Sequence, residues 1–319
     1  MAISKHIEEF HGLPVFDFPG PDGGTDGGTG LPAPESVAWR VQVEYEGGSD
    51  FAAVWAAFLA AVEVERVRAL VIGPWWEDEY ELVEPVVTAL TGSADRLGGL
   101  RALFLGEATF EECEISWLQL GDVTPLLESF PALAELVVRG ASADYDGKGG
   151  LALRPLRHEG LRALRFEAGG LPAAVVRAVG ESDFPALESL ELWLGVDEYG
   201  GDATVADLAP VLDGGRLPAL RRLGLENSLL QDELAAAVAG SAVAGRLEEL
   251  SLALGNLTDA GAEALLGLTG LRRLDLHHHY LTEGMQQRLR DTLGAAGVEL
   301  DLSGPEDPND DWRYVANGE

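Results

Sequence analysis

The sequence predicts an α/β solenoid, a stack of repeated strand–helix units, and three observations support this fold class. The spacing L-x-x-L-x-L recurs along most of the chain. The last two apolar positions of each copy alternate with other residues, as in a half-buried strand. Stretches with helical spacing lie between copies, for example at 235–243, 260–268 and 284–293. Because one unit cannot bury its apolar face alone, neighbouring units must supply the core.

The repeat is regular enough to set the architecture. Its copies start 24 to 33 residues apart, which is a stronger signal than any single match. Strands stack about 4.8 Å apart, whereas helices need about 8–10 Å each. The array is therefore expected to bend into a curved horseshoe, with parallel strands on the concave face and helices on the convex face. The copies begin at Val67, Leu100, Leu133, Leu161, Leu187, Leu220, Leu247 and Leu271, and Leu300 starts a last half-copy.

The best-formed copy connects the motif to a known family. Between Leu250 and Leu276, a strand is followed by Asn256, by the sequence Leu257-Thr258-Asp259-Ala260-Gly261, and by a helical stretch. This arrangement resembles the long-repeat leucine-rich class typified by ribonuclease inhibitor, over roughly residues 60 to 303. Thr258 or Asp259 fits the N-cap of the helix. Most copies depart from the class because they lack the asparagine, and His279 takes its place in one of them.

The ends of the array differ from the repeats. Residues 1–66 are predicted to form an N-terminal segment with a capping strand over 37–45 and a helix near 50–64. Within it, 19–34 is rich in glycine and proline and is predicted to be an exposed loop. Residues 67–303 form the array of about eight repeats and a terminal strand. Residues 304–319 form an acidic tail, either covering the last repeat or hanging loose.

Composition restricts the partners and the compartment. The formal net charge of -32 argues against nucleic acid and anionic membranes, and favours a partner with a basic or arginine-rich surface. Cys113 is the single cysteine, so no internal disulfide forms, as fits a reducing cytoplasm. The longest apolar run, 51–62, is shorter than the roughly 20 residues of a membrane span, and the N-terminus resembles no signal peptide. We expect a soluble cytoplasmic protein, either monomeric or weakly self-associating.

The concave face supplies the first candidate binding residues. Strand alternation places apolar side chains there in the first third of the array and mixed charges in the rest. Trp193 could anchor a partner, or could pack against a neighbouring loop. The candidates on this face are Phe104, Arg139, Arg165, Trp193, Glu226, Asp275 and His277.

Several strand-to-helix loops pair acidic with aromatic residues. The loop 75–80 reads Trp75-Trp76-Glu77-Asp78-Glu79-Tyr80, and Tyr199 follows Asp197 and Glu198 in a later repeat. In a stacked array these loops emerge along one edge, so they predict an acidic–aromatic rim with possible cation–π contacts to a basic partner. In the alternative arrangement the aromatic rings fold inward and only the acids meet solvent.

No enzyme template fits the chain. A P-loop, a G-x-S-x-G elbow and an H-E-x-x-H pair are all missing from the sequence, and no cofactor is expected. Cys113 lies among Glu111, Glu112 and Glu114, whose carboxylates discourage a thiolate. Asp275, His277 and His279 would share one face of a strand and are weak candidates for a metal site, although His279 could instead hydrogen-bond the loop backbone.

These patterns predict a non-enzymatic protein-binding scaffold. The early Trp/Glu-rich loops and the C-terminal sequence Asp311-Trp312-Arg313-Tyr314-Val315 are similar to those of a group of bacterial cytoplasmic leucine-rich repeat proteins of unassigned function. Genes of that group often lie beside genes for radical-SAM and ATP-grasp-like enzymes. The resemblance thus implies, as an alternative, an accessory or substrate-presenting role in a modification pathway. A metal-dependent site in the last full repeat is the second alternative.

Overall fold

The chain folds into two compact units in a computed structural model that describes residues 3–21, 30–45, 47–77, 80–144 and 146–318. The N-terminal unit contains Ile3–Leu153 and His158–Leu161. The C-terminal unit contains Arg154–Arg157 and the chain from Arg162 onward. Most of the predicted loop at 19–34, and Asp78 and Glu79 of the predicted rim, lie outside the described residues.

In the N-terminal unit, successive strands pair in register from β2 to β6. Each of these strands is parallel to the next one, so equivalent repeat positions form rows across the sheet. Trp39 of β3 faces the helical side, where its ring lies 5.7 Å from that of Phe58 in α1. The elements are β1 Glu9–Phe10, β2 Leu13–Asp17, β3 Ala38–Val41, α1 Phe51–Ala61, β4 Ala69–Ile72, α2 Glu84–Gly92, β5 Ala102–Leu105, α3 Thr124–Ser129 and β6 Glu135–Arg139.

The C-terminal unit repeats the same arrangement more regularly. Its strands are also parallel and in register, and the central leucine of every strand up to β11 is buried. The elements are β7 Ala163–Glu167, α4 Ala173–Glu181, β8 Ser189–Gly195, α5 Ala209–Asp213, β9 Arg222–Ser228, α6 Gln231–Ala239, β10 Glu249–Ser251, α7 Asp259–Leu265, β11 Arg273–Asp275, α8 Glu283–Leu289 and β12 Glu299–Asp301.

This alternation of parallel strands and helices is an α/β leucine-rich repeat solenoid, as the sequence predicts. The three predicted helices at 235–243, 260–268 and 284–293 correspond to α6, α7 and α8 with its following turn. None of the described helices is both long and apolar enough to span a membrane.

The prediction that the strand at 37–45 caps the N-terminal end of the sheet is wrong. A hairpin of β1 and β2 precedes it, and β2 pairs with β3 in parallel. The two-residue turn of the hairpin uses His11 and Gly12, both with positive φ, as the right-handed twist of paired strands requires. The strand itself is also shorter than predicted, since β3 ends at Val41.

Hydrogen bonds between consecutive repeats fix the later helices. Thr258 caps α7, as the sequence analysis allows, and its backbone N–H and hydroxyl both donate to Asp232 of the preceding helix. One repeat further on, Thr282 caps α8 and donates in the same two ways to Asp259. Each Asp–Thr pair therefore links one helix to the next helix start, where backbone N–H groups otherwise lack partners.

The C-terminal segment covers the last repeats, which is one of the two arrangements predicted for residues 304–319. Asn227 is fully buried, and its side-chain amide donates to the Asn317 carbonyl at 2.7 Å and accepts from the Asn317 N–H at 2.9 Å. His278 Nε2 donates to the Tyr314 carbonyl at 3.2 Å. Val315 is buried between these two contacts in the sequence. These bonds hold the segment against the unit.

Candidate functional site

The open face of the N-terminal sheet is covered by the chain itself. Phe10 of the hairpin packs on a cluster that includes Val71, Phe104 and Val137, which all lie on the side opposite the helices. Its ring centroid lies 5.9 Å from that of Phe104. An apolar patch left open here would favour aggregation, so covering it removes an exposed adhesive surface from the sheet. Arg139 is buried beside the same cluster, where it donates to the Ala108 carbonyl.

Phe104 and Arg139 are therefore not available to a partner, contrary to the sequence prediction. The repeat pattern places them correctly on the strand face, but it contains no information about the hairpin that covers them. Two further contacts anchor this covering segment: the backbone N–H of Ile7 donates to the buried carboxylate of Glu107 at 3.0 Å, and His6 Nδ1 lies 2.9 Å from Glu107. Arg40 pairs with the same carboxylate at 3.0 Å.

A cleft of about 520 Å³ opens where the chain leaves β3, β4 and β5, and we call it the loop cleft. The carboxyl ends of parallel strands meet at one edge, so the loops that follow them converge there. The residues that line this cleft are mainly acidic and aromatic, and none of those described is basic. They are Gln42, Val43, Glu44, Tyr45, Pro74, Trp76, Glu77, Tyr80, Glu111 and Glu112.

The aromatic residues form an inward-folded wall of the loop cleft. Trp75 is 3% exposed, and its indole N–H donates to the Glu81 carbonyl at 2.7 Å. Trp76 is 7% exposed and makes edge-on contacts with Trp75 at 5.0 Å and Tyr80 at 5.4 Å. The structure has the alternative arrangement, in which these rings fold inward, because packing between the indoles buries Trp75 and Trp76. Their prediction as exposed partner-binding residues is wrong. Tyr80 stays half-buried and lines the cleft.

The four carboxylates of the loop cleft divide into two kinds. Glu77 accepts a hydrogen bond from the Gly48 N–H, and Glu112 accepts from the Thr109 N–H, so both are fixed by backbone donors. Glu44 and Glu111 are exposed, and no basic side chain in the described parts of the chain comes within 4.0 Å of either. These two carboxylates are therefore free to meet an incoming cation.

Cys113 follows Glu112 of the loop cleft in the sequence, and its thiol is unreactive. Its side chain is buried, and burial raises the pKa of the thiol to about 12, with smaller contributions from the charges of Glu114 and Glu112. Thiolates are the reactive form of cysteine, so a thiol of this pKa is a poor nucleophile. This agrees with the expectation from the neighbouring carboxylates.

The open face of the C-terminal sheet carries rows of charged residues. In one row Arg222, Glu249, Arg273 and Glu299 stand on successive strands, and the Arg222–Glu249 and Arg273–Glu299 ion pairs both span 3.3 Å. The next row places Gly224 between Glu191 and Ser251. A cleft of about 300 Å³ lies over these rows, and we call it the strand-face cleft. Its lining also includes Arg165, Glu226 and Asp275.

Two carboxylates converge over Gly224 in the strand-face cleft. A Cβ atom at this glycine would lie 2.8 Å from Cγ of Glu191 and 3.0 Å from Oε1 of Glu226, so any other residue would push them away. Burial, followed by the charge of Glu191, raises the pKa of Glu226 to about 8, although the Ser251 hydroxyl acts in the opposite direction. At neutral pH, Glu226 is mostly a neutral acid.

Arginine balances the rest of this cluster. Arg165 lies 3.1 Å from Glu167 and 3.3 Å from Glu191. Burial opposes the charge of Arg165, yet the two carboxylates raise the pKa of its guanidinium above the ordinary value. Burial also disfavours the charged form of Glu191 and so raises its pKa, although the positive charge of Arg165 acts in the opposite direction. Arg165 and Glu226, both predicted from the sequence as binding residues, thus lie in one cleft.

Trp193 and Tyr199 do not form exposed anchors. Trp193 is 9% exposed, stands beside Glu226 in the strand register, and donates its indole N–H to Glu191 at 3.0 Å. The arrangement predicted as the alternative, in which this indole packs within the chain, is the one the structure has. Tyr199 is half-buried in a short 3₁₀ turn, Asp197–Tyr199, after β8.

His279 is excluded as a metal ligand because both its ring nitrogens are used. It is fully buried, its Nε2 donates to the Leu302 carbonyl at 3.2 Å, and its Nδ1 accepts from the Leu281 N–H at 3.1 Å. Burial lowers its pKa, so the ring is neutral. It therefore bonds the loop backbone, as the sequence analysis offered as an alternative. Including it in the metal candidates is wrong.

Asp301 takes the place of His279 in the group that could hold a metal. Ligand atoms of Asp275, His277 and Asp301 lie within 4.8 Å of one another. However, the Arg273 guanidinium lies 3.3 Å from Asp275 and 3.9 Å from Asp301, so a cation of the chain already occupies this position. His277 Nδ1 lies 2.8 Å from Asp275, and this hydrogen bond raises the pKa of the imidazole. The arrangement is that of an ion-pair network.

Several residues that line the two clefts were not predicted from the sequence. The strand register places Gly224 and Ser251 on the open face, but neither carries a charge or a ring that draws notice. Gln42, Glu44 and Tyr45 fall in the segment predicted as a capping strand, where the sequence pattern predicts no loop. Their recognition requires the true end of β3 at Val41.

One solved structure is similar to this chain over most of its length. No family model matches the chain, and no curated protein matches its sequence. A solved structure from Bacteroides fragilis has a TM-score of 0.79 and 25% identity, covering 89% of this chain and 78% of its own.

Two further structures are more distant. An internalin (InlF) from Listeria monocytogenes has a TM-score of 0.36 at 15% identity, covering 75% of this chain and 55% of its own. A TLR13–ssRNA13 complex has a TM-score of 0.32 at 14% identity, covering 86% of this chain and 45% of that chain. These two similarities are too low to bear on function. The leucine-rich repeat fold follows from the parallel strands and their register, and the Bacteroides fragilis protein shares this fold over most of its length.

Proposed function

We propose that the protein is a non-enzymatic scaffold that binds another protein through a basic, arginine-rich segment, and that this segment docks in the loop cleft. The observation that carries the proposal is the lining of the cleft: four carboxylates and an aromatic wall, with no basic residue among those described. A concave site with one sign of charge raises the local concentration of oppositely charged ligands and speeds their association.

Each part of the cleft has a role in this binding. Glu44 and Glu111 have no cationic partner in the described chain, so a bound cation gains their charge without breaking an ion pair. Glu77 and Glu112 are held by backbone donors, and Glu112 also lies 3.3 Å from His6 Nε2, so both offer their charge from fixed positions. Tyr80 is half-buried and lines the cleft, so its ring presents aromatic surface, on which a guanidinium gains roughly 0.5–1 kcal/mol through cation–π contact.

The test uses a peptide of alternating glycine and arginine and the double variant Glu44→Gln, Glu111→Gln. Both residues are exposed, so their replacement should leave the fold unchanged. We expect the dissociation constant, measured by fluorescence anisotropy at low salt, to rise about fivefold or more, since two charge contacts are lost.

The control must distinguish binding by the cleft carboxylates from attraction by the net charge, because a protein of net charge -32 attracts any basic peptide. Glu8→Gln with Glu9→Gln removes the same charge from exposed residues of the same unit that do not line the cleft. Equal weakening in the two double variants would show that the cleft has no special role and would overturn the proposal.

We also propose that the repeats belong to the long-repeat leucine-rich class and that the protein is cytoplasmic. Repeat starts 24 to 33 residues apart, with an α-helix after most strands, support the class. The single, buried Cys113 is compatible with a reducing compartment.

A further inference from the structure

We propose that the strand-face cleft binds a single guanidinium group, which Glu226 and Glu191 hold above Gly224. This cleft belongs to the C-terminal unit and has its own residues, so the inference does not depend on the loop cleft.

The first support is an incomplete pattern of ion pairs. Arg165 pairs with Glu167 and Glu191, while Arg222 pairs with Glu249 and Arg273 pairs with Asp275. Glu226 is the exception. It is 8% exposed and lines the cleft, yet no arginine, lysine or histidine of the described chain comes within 4.0 Å of it. A guanidinium from outside would complete the pattern.

The second support is the shape of the cleft floor. Cγ of Glu191 and Oε1 of Glu226 both lie within 3.0 Å of the place that a Cβ of Gly224 would take, and the charge of Glu191 acts on Glu226. Two acids so close, and partly buried, repel each other unless a proton or another cation lies between them. The volume of about 300 Å³ above them accommodates a side chain or a small molecule.

The chemistry of the cleft favours guanidinium over ammonium. All the cations that already line it are arginines, and each lies beside at least one carboxylate. A guanidinium is flat, presents several donors to two acids at once, and is less strongly hydrated than an ammonium. It therefore gives up less hydration when it reaches a buried carboxyl.

Binding should release a proton. The raised pKa of Glu226 means that this group carries a proton at neutral pH before a ligand arrives. Among the groups that act on it, Glu191 and Asp275 favour the proton and Arg165 opposes it, and the imidazole of His277 also interacts with its charge. A guanidinium adds a positive charge at short range, so Glu226 ionises and its proton passes to the buffer.

The test is calorimetric titration of the whole protein with ethylguanidinium, compared with propylammonium, in two buffers of different ionisation enthalpy. We expect guanidinium to bind more tightly than ammonium and to release close to one proton per ligand near neutral pH. In Glu226→Gln, we expect affinity to fall about tenfold or more and the proton release to vanish. Glutamine has the shape of the neutral acid, so this variant should keep the fold.

A matched control and a second probe complete the test. Glu233→Gln makes the same replacement at an exposed site on α6 and should bind as the unaltered protein does. A short arginine peptide and its lysine counterpart distinguish a partner's side chain from a free small molecule. Only the part of the affinity that is lost in Glu226→Gln is assigned to this cleft, and a larger such loss for the arginine peptide than for ethylguanidinium indicates a protein source. Equal affinity for guanidinium and ammonium, unchanged binding in Glu226→Gln, or no binding of either guanidinium probe would overturn the proposal.

Discussion

Glu226 shows how one residue can make stability depend on pH. Its pKa is about 8 in the folded chain, against 4.5 for an ordinary glutamate. Between these values the folded state holds a proton that the unfolded state has lost. The free energy of unfolding should therefore be highest below the ordinary pKa and should fall as pH rises through the folded value, by roughly 1–4 kcal/mol from this group.

Glu226→Gln isolates this contribution because glutamine does not titrate. We expect urea unfolding, followed by circular dichroism at about pH 5, 7 and 9, to show the wild type losing stability relative to the variant as pH rises. Glu233→Gln, in an exposed helix position, should follow the wild type at each pH. Parallel curves for wild type and Glu226→Gln would show that the carboxyl is ionised throughout.

The histidines show what the sequence can and cannot reveal about single residues. His279 occupies the position of the consensus asparagine, and this placement predicts its backbone hydrogen bonds. His158 makes the same pair of bonds: its Nε2 donates to the Phe130 carbonyl, and its Nδ1 accepts from the Leu161 N–H. It lies outside any motif, so no sequence signal marks it. A repeat identifies a residue's role only where its register is intact.

At the scale of elements, the strands were predictable because their signal is local. Leu103 and Leu105 of β5 fit the period of a strand buried against helices, and both are fully buried. The sequence offers the burial of Trp75 and Trp76 only as one of two arrangements, since the choice depends on their mutual packing and on a bond to Glu81. The hairpin was missed for a similar reason. Its two short strands lack an apolar alternation, and their position requires the rest of the sheet.

The hairpin gives a prediction at this scale. Phe10→Ala removes the ring that covers Val71, Phe104 and Val137, so we expect the free energy of unfolding to fall by about 3–5 kcal/mol. The newly exposed apolar surface should also increase the fluorescence of an added hydrophobic dye. Urea unfolding and dye titration measure the two effects.

Phe110→Ala is the matched control for the hairpin. It removes the same ring from a position that is 42% exposed, and its backbone N–H still donates to the Ile3 carbonyl. We expect a loss below about 1 kcal/mol and little change in dye binding. If Phe10→Ala cost no more than this control, the hairpin would not be an integral cover of the strand face.

At the scale of the whole molecule, net charge is the dominant electrostatic feature. The chain has 54 acidic residues and only 22 basic ones, so self-repulsion remains after every basic residue is paired. Many exposed pairs, such as Arg177–Asp207 at 2.6 Å and Arg288–Glu263 at 2.6 Å, contribute at most about 1 kcal/mol each. Salt weakens both the repulsion and these pairs, and the excess of acid decides which effect is larger.

We therefore expect sodium chloride to stabilise the fold. Raising it from about 20 mM to about 500 mM shortens the Debye length from roughly 20 Å to roughly 4 Å and should raise the midpoint of thermal unfolding by a few degrees. Chloride is preferred to sulfate, which strengthens apolar burial whatever the charge. A falling midpoint would mean that the ion pairs outweigh the repulsion.

The same salt should weaken the binding of the arginine peptide to the loop cleft, because there the screened interaction is an attraction. If added salt raises the unfolding midpoint and lowers the affinity for the peptide in the same series, the effect of the net charge on stability is distinguished from the effect of the cleft carboxylates on binding.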